Sequence, residues 1–160
     1  MRILFSIIFL GFSLGAIAQS KKEIKKYDLV SATETITEFI DGKEVTHNDF
    51  FQKFDKHGNV IEEINYDKTG KLKERKLQKF DRFDNKVEET TFDATNRQVK
   101  RETYKYDELG EKSEEVEYDA KNTLVSKSVF KVDARGLKTE KRTYDSKGKL
   151  IQVKKYKYED

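Results

Sequence analysis

An aromatic residue, an Asp, two free positions and then Gly, Asn or Asp recur eight times between Phe54 and Gly148. No other feature limits the possible folds so tightly. The units open at Phe54, Tyr66, Phe80, Phe92, Tyr106, Tyr118, Val132 and Tyr144, with Val132 the one departure from a ring. Their spacing alternates between 12 and 14 residues, so the repeat is a pair of units with a period of 26, and a fifth pair opens at Tyr158. A sustained period of this length marks a repeat architecture.

The second position is always Asp: Asp55, Asp67, Asp81, Asp93, Asp107, Asp119, Asp133 and Asp145. The fifth is Gly58, Gly70, Asp84, Asn96, Gly110, Asn122, Gly136 or Gly148, the residue types that enter the left-handed region at least cost. An Asp followed three positions later by such a residue predicts a type I turn with a G1 bulge, and its carboxylate closes the turn on its own backbone. Each unit is therefore read as a chain reversal. The intervening segments are rich in Thr, Val, Ile, Tyr and Phe and suit strands, and the chain has no proline to interrupt a ladder. The expected fold is all-β: an antiparallel meander of hairpins, about nine strands from Phe51 onward.

Charged side chains on both faces of each strand centre, as in Lys73 to Lys76, argue against a two-layer sandwich. The alternating spacing staggers successive hairpins, which predicts a thin, elongated, coiled single sheet. The turn geometry sets each ring opposite the residue six positions later, Tyr66 opposite Leu72 for example. Carried inward, the same register pairs Glu62 with Lys76, Glu63 with Arg75 and Arg101 with Glu117. It also lays Lys86, Lys112 and Lys138 between rings in one row, where their stems can cover aromatic faces while the ammonium groups stay wet.

Before the repeat, Arg2, the apolar run from Ile3 to Ile17 and the small residues Ala16 and Ala18 form the pattern of an export signal, residues 1–18, cleaved near Ala18. Residues 19–32 are polar and lysine-rich and are expected to be a mobile start. Asp41-Gly42 is a two-residue hairpin signal, which makes 33–53 an N-terminal hairpin cap to the repeat domain 54–160. The mature chain has no further apolar run of spanning length, and its expected location is periplasmic or extracellular. There is no cysteine. Without Arg2 the chain holds 32 Lys plus Arg, one fewer than the 33 of the whole sequence, against 30 Asp plus Glu. That near-balance argues against a nucleic-acid surface.

The stretches "YKYDELG" (104–110) and "YDKTGKL" (66–72) resemble the tyrosine-aspartate (YD) repeat of Rhs-type and teneurin-type shells. The resemblance covers Phe54 to Glu159 and implies an extended, coiling β-sheet on an exported or cell-surface protein, with no catalysis by the repeat residues. The repeats are too few to enclose a cargo, and arginine does not follow the turn glycine. A weaker resemblance is to hairpin-repeat proteins of the MORN type, some of which are regarded as antitoxin-like.

Chemistry finds little purchase. His47 and His57 lie in polar segments without a recognisable nucleophile beside them and read as ordinary surface residues. The turn aspartates fall one per turn and do not converge on a cation, and Glu62-Glu63 and Glu114-Glu115, adjacent on strands, point to opposite faces. No metal, cofactor or catalytic residue is expected. Asp55, Gly58, Asp67, Gly70, Asp107, Gly110, Asp133, Gly136, Asp145 and Gly148 are assigned to turns. The rings with binding promise are Tyr104, Tyr106, Phe130, Tyr156 and Tyr158. The sequence thus favours a non-enzymatic exported protein presenting an extended surface to a protein or glycan partner. An assembly module pairing through its sheet edges, or an immunity-like protein, is the alternative.

Overall fold

The computed structural model describes residues 20–159. The export signal expected over 1–18 lies outside them. A short helix, α1 (Lys21–Lys26), precedes ten strands: β1 (Ser31–Ile40), β2 (Lys43–Phe54), β3 (Val60–Tyr66), β4 (Leu72–Phe80), β5 (Lys86–Phe92), β6 (Gln98–Tyr106), β7 (Lys112–Asp119), β8 (Leu124–Val132), β9 (Lys138–Asp145) and β10 (Leu150–Lys155). They form one open antiparallel sheet in sequence order, with β1 and β10 at its edges. Nine strands follow the first hairpin turn, as the count of repeat turns predicts.

All eight repeat turns have the same construction. The N–H of the fifth-position residue donates to the Asp carbonyl, and the Asp N–H donates to the carbonyl four residues on, as in Gly70 to Asp67 (2.8 Å) and Asp67 to Lys71 (2.8 Å). Every fifth-position residue has positive φ, including Asp84 (65°), Asn96 (59°) and Asn122 (60°). Each Asp Oδ1 then accepts two more backbone N–H groups, two and four residues ahead, as Asp107 does from Leu109 (3.0 Å) and Glu111 (2.9 Å). The Asp-to-Gly spacing is thus a complete backbone-satisfying unit. At the first hairpin, Asp41 (φ 51°) and Gly42 (φ 75°) make the predicted two-residue turn, closing Ile40 on Lys43.

The first residue of every unit, seven rings and Val132, faces the residue six positions later, for example Phe80 with Lys86 and Tyr118 with Leu124. One step further in, the register departs from expectation. Glu62 faces Leu77, Glu63 faces Lys76, and Arg101 faces Tyr118, while Glu117 faces Glu102. The cause is a second bulge in every hairpin, one residue beyond the ring's partner: Ile61, Lys73, Val87, Val99, Ser113, Val125, Thr139 and Ile151 have no cross-strand partner at the register shift. The extra residue moves the outgoing strand by one position and increases its twist. Opposite charges consequently meet on the diagonal, Arg75 Nε on Glu62 Oε1 at 2.6 Å and Arg101 on Glu88 at 3.0 Å.

The sheet is a single layer with little interior. Ile24, Phe50, Phe54, Tyr104 and Val116 are its buried apolar residues. Two of these explain why residues 19–32, expected to be a mobile start, instead contain α1 and the first residues of β1. Ser20 and Glu23 form a capping box, and Ile24 docks beside Phe54 and Leu29. The Phe54 N–H donates to Val30 O at 3.0 Å. Six residues with one apolar position would not hold a helix alone; contact with the first turn stabilises it.

Candidate functional site

The row of rings and lysines expected from the register is present on one face of the sheet. Lys86 Nζ lies 5.4 Å and Lys112 Nζ 4.3 Å from the Tyr104 ring centroid. Lys138 and Lys141 each lie 5.2 Å from the Phe130 ring, with Lys112 at 6.0 Å. Glutamates bind the lysines in place: Lys86 to Glu89 (2.6 Å), and both Lys112 and Lys141 to Glu115 (3.2 Å each). Burial alone would raise the Glu115 carboxyl; the two ammonium groups, Lys141 foremost, outweigh it and hold the pKa low. Lys86, Lys112 and Lys141 are therefore engaged with rings and carboxylates together, and Lys138 with the Phe130 ring.

This packing divides the five candidate rings. Tyr104 is 8 % exposed, covered by the lysine stems, and its hydroxyl is pushed strongly upward in pKa by burial and then by Glu102, Glu89 and Glu115. Tyr106 is half-buried and donates its hydroxyl to Lys86 O at 2.9 Å. Phe130 is half-buried beneath Lys138 and Lys141. Tyr156 and Tyr158 are open, 38 % and 47 % exposed, although Tyr158 repeats the tether of Tyr106 by donating to Lys138 O at 2.8 Å. At the equivalent slot Val132 has no hydroxyl to donate. The reachable part of the stripe is thus its C-terminal end.

The residues around the first turn form a second polar cluster that the sequence pattern does not announce. Lys21 Nζ donates to Asn59 Oδ1 (2.7 Å) and Asp84 Oδ2 (3.0 Å), and Asn59 Nδ2 donates to Asp55 and Asp84. The one hint is Asp84 itself, an acid in a slot otherwise filled by Gly or Asn. His57 stands 3.6 Å from Asp84 and His47 3.7 Å from Glu38. The His47 side chain is largely covered, under the turn at Gly70, and so differs from the surface residue expected. Among the described residues no group of three His, Asp or Glu side chains could hold a metal ion, and no helix is long and apolar enough to cross a membrane.

No protein-family model and no curated protein matches the chain. Solved structures similar to part of it include TarM, with 18% identity and a TM-score of 0.34 over 82% of this chain and 22% of that one. A complex of S. aureus TarM with fondaparinux, alpha-GlcNAc-glycerol and UDP gives 18% identity and a TM-score of 0.34 over 82% of this chain and 23% of that one. The GtfA/B complex bound to UDP and GlcNAc gives 10% and 0.32 over 77% and 24%. The chain spans less than a quarter of the length of each. Similarity of this size establishes neither a shared activity nor a shared ligand.

Proposed function

We propose that the chain is a non-enzymatic, exported β-repeat protein of the YD type whose sheet presents an extended binding surface to a protein or glycan outside the inner membrane. The observation that carries this reading is the aromatic and lysine row ending in Tyr156 and Tyr158, two open rings beside Lys138. Rings exposed next to cation-bearing stems are the usual platform on which sugars and partner side chains stack. The polar contacts of the two histidines run to Glu38, Asp84 and the Asn48 carbonyl.

Burial narrows the expected contact set to Tyr156 and Tyr158, with Tyr104 and Tyr106 serving the fold. The test is binding of the purified protein to the envelope fraction of its producer and to a glycan array. Tyr156→Ala combined with Tyr158→Ala should weaken binding at least tenfold while circular dichroism stays close to the parent and melting falls by only a few degrees, as loss of the Tyr158 tether requires. Unchanged binding by that double variant would reduce the stripe to a structural element.

A further inference from the structure

The two edges of the sheet carry opposite charge, and the geometry points to head-to-tail pairing of β10 of one copy with β1 of a second copy. This inference is independent of the binding role of Tyr156 and Tyr158, since it concerns the backbone edges. The outer edge of β10 pairs with no strand among the described residues, and neither does that of β1. Every residue of β10 is exposed, including Leu150, Ile151 and Val153. An edge of this kind is a template for another strand unless something opposes the pairing.

What opposes pairing here also selects the partner. The acids of β1 are Glu34 and Glu38, with no base; the bases of β10 are Lys154 and Lys155, with no acid. The bias extends through each terminal hairpin: Ser31–Phe54 holds five acids against two Lys, whereas Lys138–Lys155 holds seven Lys or Arg against two acids. Pairing β10 with β10, or β1 with β1, would set like charges across a two-fold axis. Pairing β10 with β1 brings the basic edge to the acidic one: Glu34 and Glu38 share a face and Lys154 and Lys155 lie on opposite faces, so one lysine meets a glutamate directly while the other adds to the attraction between the edges.

Strand direction agrees. In an antiparallel sheet of ten, β10 runs opposite to β1. A second copy laid in the same orientation therefore presents its β1 antiparallel to β10 and continues the meander unbroken. β1 suits the role: it is ten residues long, its hairpin's register shift falls at Asp49 on β2, and three threonines and an isoleucine, Thr33, Thr35, Thr37 and Ile36, give it strong strand preference. Because the two edges differ, the contact is heterologous and builds a ring or an open filament, not an isologous dimer.

Sedimentation equilibrium of the exported protein across a wide concentration range tests this, with a charge exchange at each edge. The expected result is a mean mass that grows past the dimer with concentration. E34K/E38K and K154E/K155E, each alone, should need several-fold more protein to associate, since the one facing Lys–Glu pair turns from attraction to repulsion and the two edges now carry like charge. An equimolar mixture of the two variants should associate again, because each supplies the edge that the other lacks, and so should the chain carrying all four exchanges. Circular dichroism of each variant confirms that the sheet is intact, and the mixture remains decisive even if the fourfold variant does not fold. A monomer at every concentration, a mass that stops at the dimer, or edge variants that associate as the parent does would each overturn the proposal.

Discussion

Lys21 Nζ reaches Asp84 Oδ2 at 3.0 Å, joining α1 to the third repeat turn across 63 residues of sequence. Asp84 sits at φ 65°, where Gly would be unstrained. Its carboxylate also accepts Asn59 Nδ2 at 2.9 Å, and these bonds, Asn59 foremost and then Lys21, hold its pKa below the ordinary Asp value. The strain is thus kept in exchange for a clamp. Asp84→Gly should relieve the backbone by about 1 kcal/mol and leave the melting temperature near the parent's. The α1 amides at Ile24 to Tyr27 should exchange hydrogen several-fold faster, whereas Asp84→Asn, which keeps an acceptor, should show a smaller change.

The turn glycines are not equivalent. A Cβ at Gly58 would stand 3.0 Å from Lys21 O and 3.1 Å from two lysine side chains, whereas at Gly110 it meets nothing within 4 Å. Both residues are left-handed, at φ 76° and 79°. Gly110→Ala should therefore cost only the conformational strain, about 1–2 kcal/mol, and Gly110→Asn less. Gly58→Ala should cost more and also release α1, which denaturant melts followed together with hydrogen exchange at Ile24 would separate.

Acid should unfold the sheet through its turns. Asp93 is lowered to about 2 by the Thr95 hydroxyl, then by the Arg97 and Thr95 backbone N–H groups. Asp67, Asp81, Asp119 and Asp133 are lowered in the same direction, Asp67 first by the Thr69 hydroxyl and the other three first by the backbone N–H four residues ahead. A carboxylate whose pKa is lower folded than unfolded contributes stability above its unfolded value, near 4, and loses it as pH falls through the folded value. The urea midpoint should therefore decline between about pH 4 and pH 2. Asp93→Asn should lower the midpoint at pH 7 and flatten part of that decline; an unchanged slope would contradict the assignment.

The turns were legible because Asp and the left-handed residues have a backbone meaning that does not depend on the rest of the fold. The ring and lysine row was legible for the same reason: Phe80 with Lys86 and Tyr106 with Lys112 lie between the turn and the bulge, where turn geometry still sets the register. The inner pairing was not. The bulge slot is filled by Ile, Lys, Val, Ser or Thr, and nothing in these side chains asks for an unpaired backbone. The register placed lysines beside Tyr104, but not how far they close the ring off: Lys86 and Lys112, from the two neighbouring strands, both fold over this one ring and leave it 8 % exposed. Helix α1 had no local signal beyond its capping box, because what stabilises it lies at Phe54, Asn59 and Asp84.

The paired hydroxyl tethers give a last, quantitative prediction. Tyr106 and Tyr158 each donate to the carbonyl of the residue twenty positions earlier, Lys86 and Lys138, and Val132 shows that the fold holds without the tether at Lys112. The bonds are therefore additive supports, each worth about 0.5–1.5 kcal/mol. Tyr106→Phe keeps the ring and removes only the bond, so it should lower stability by about 1 kcal/mol. Tyr158→Phe, beside the open edge, should cost less globally but loosen the segment after β10. Val132→Tyr supplies the missing donor to Lys112 O and should raise the melting temperature by a few degrees. No gain from Val132→Tyr alongside no loss from Tyr106→Phe would show that the tethers carry no net stability.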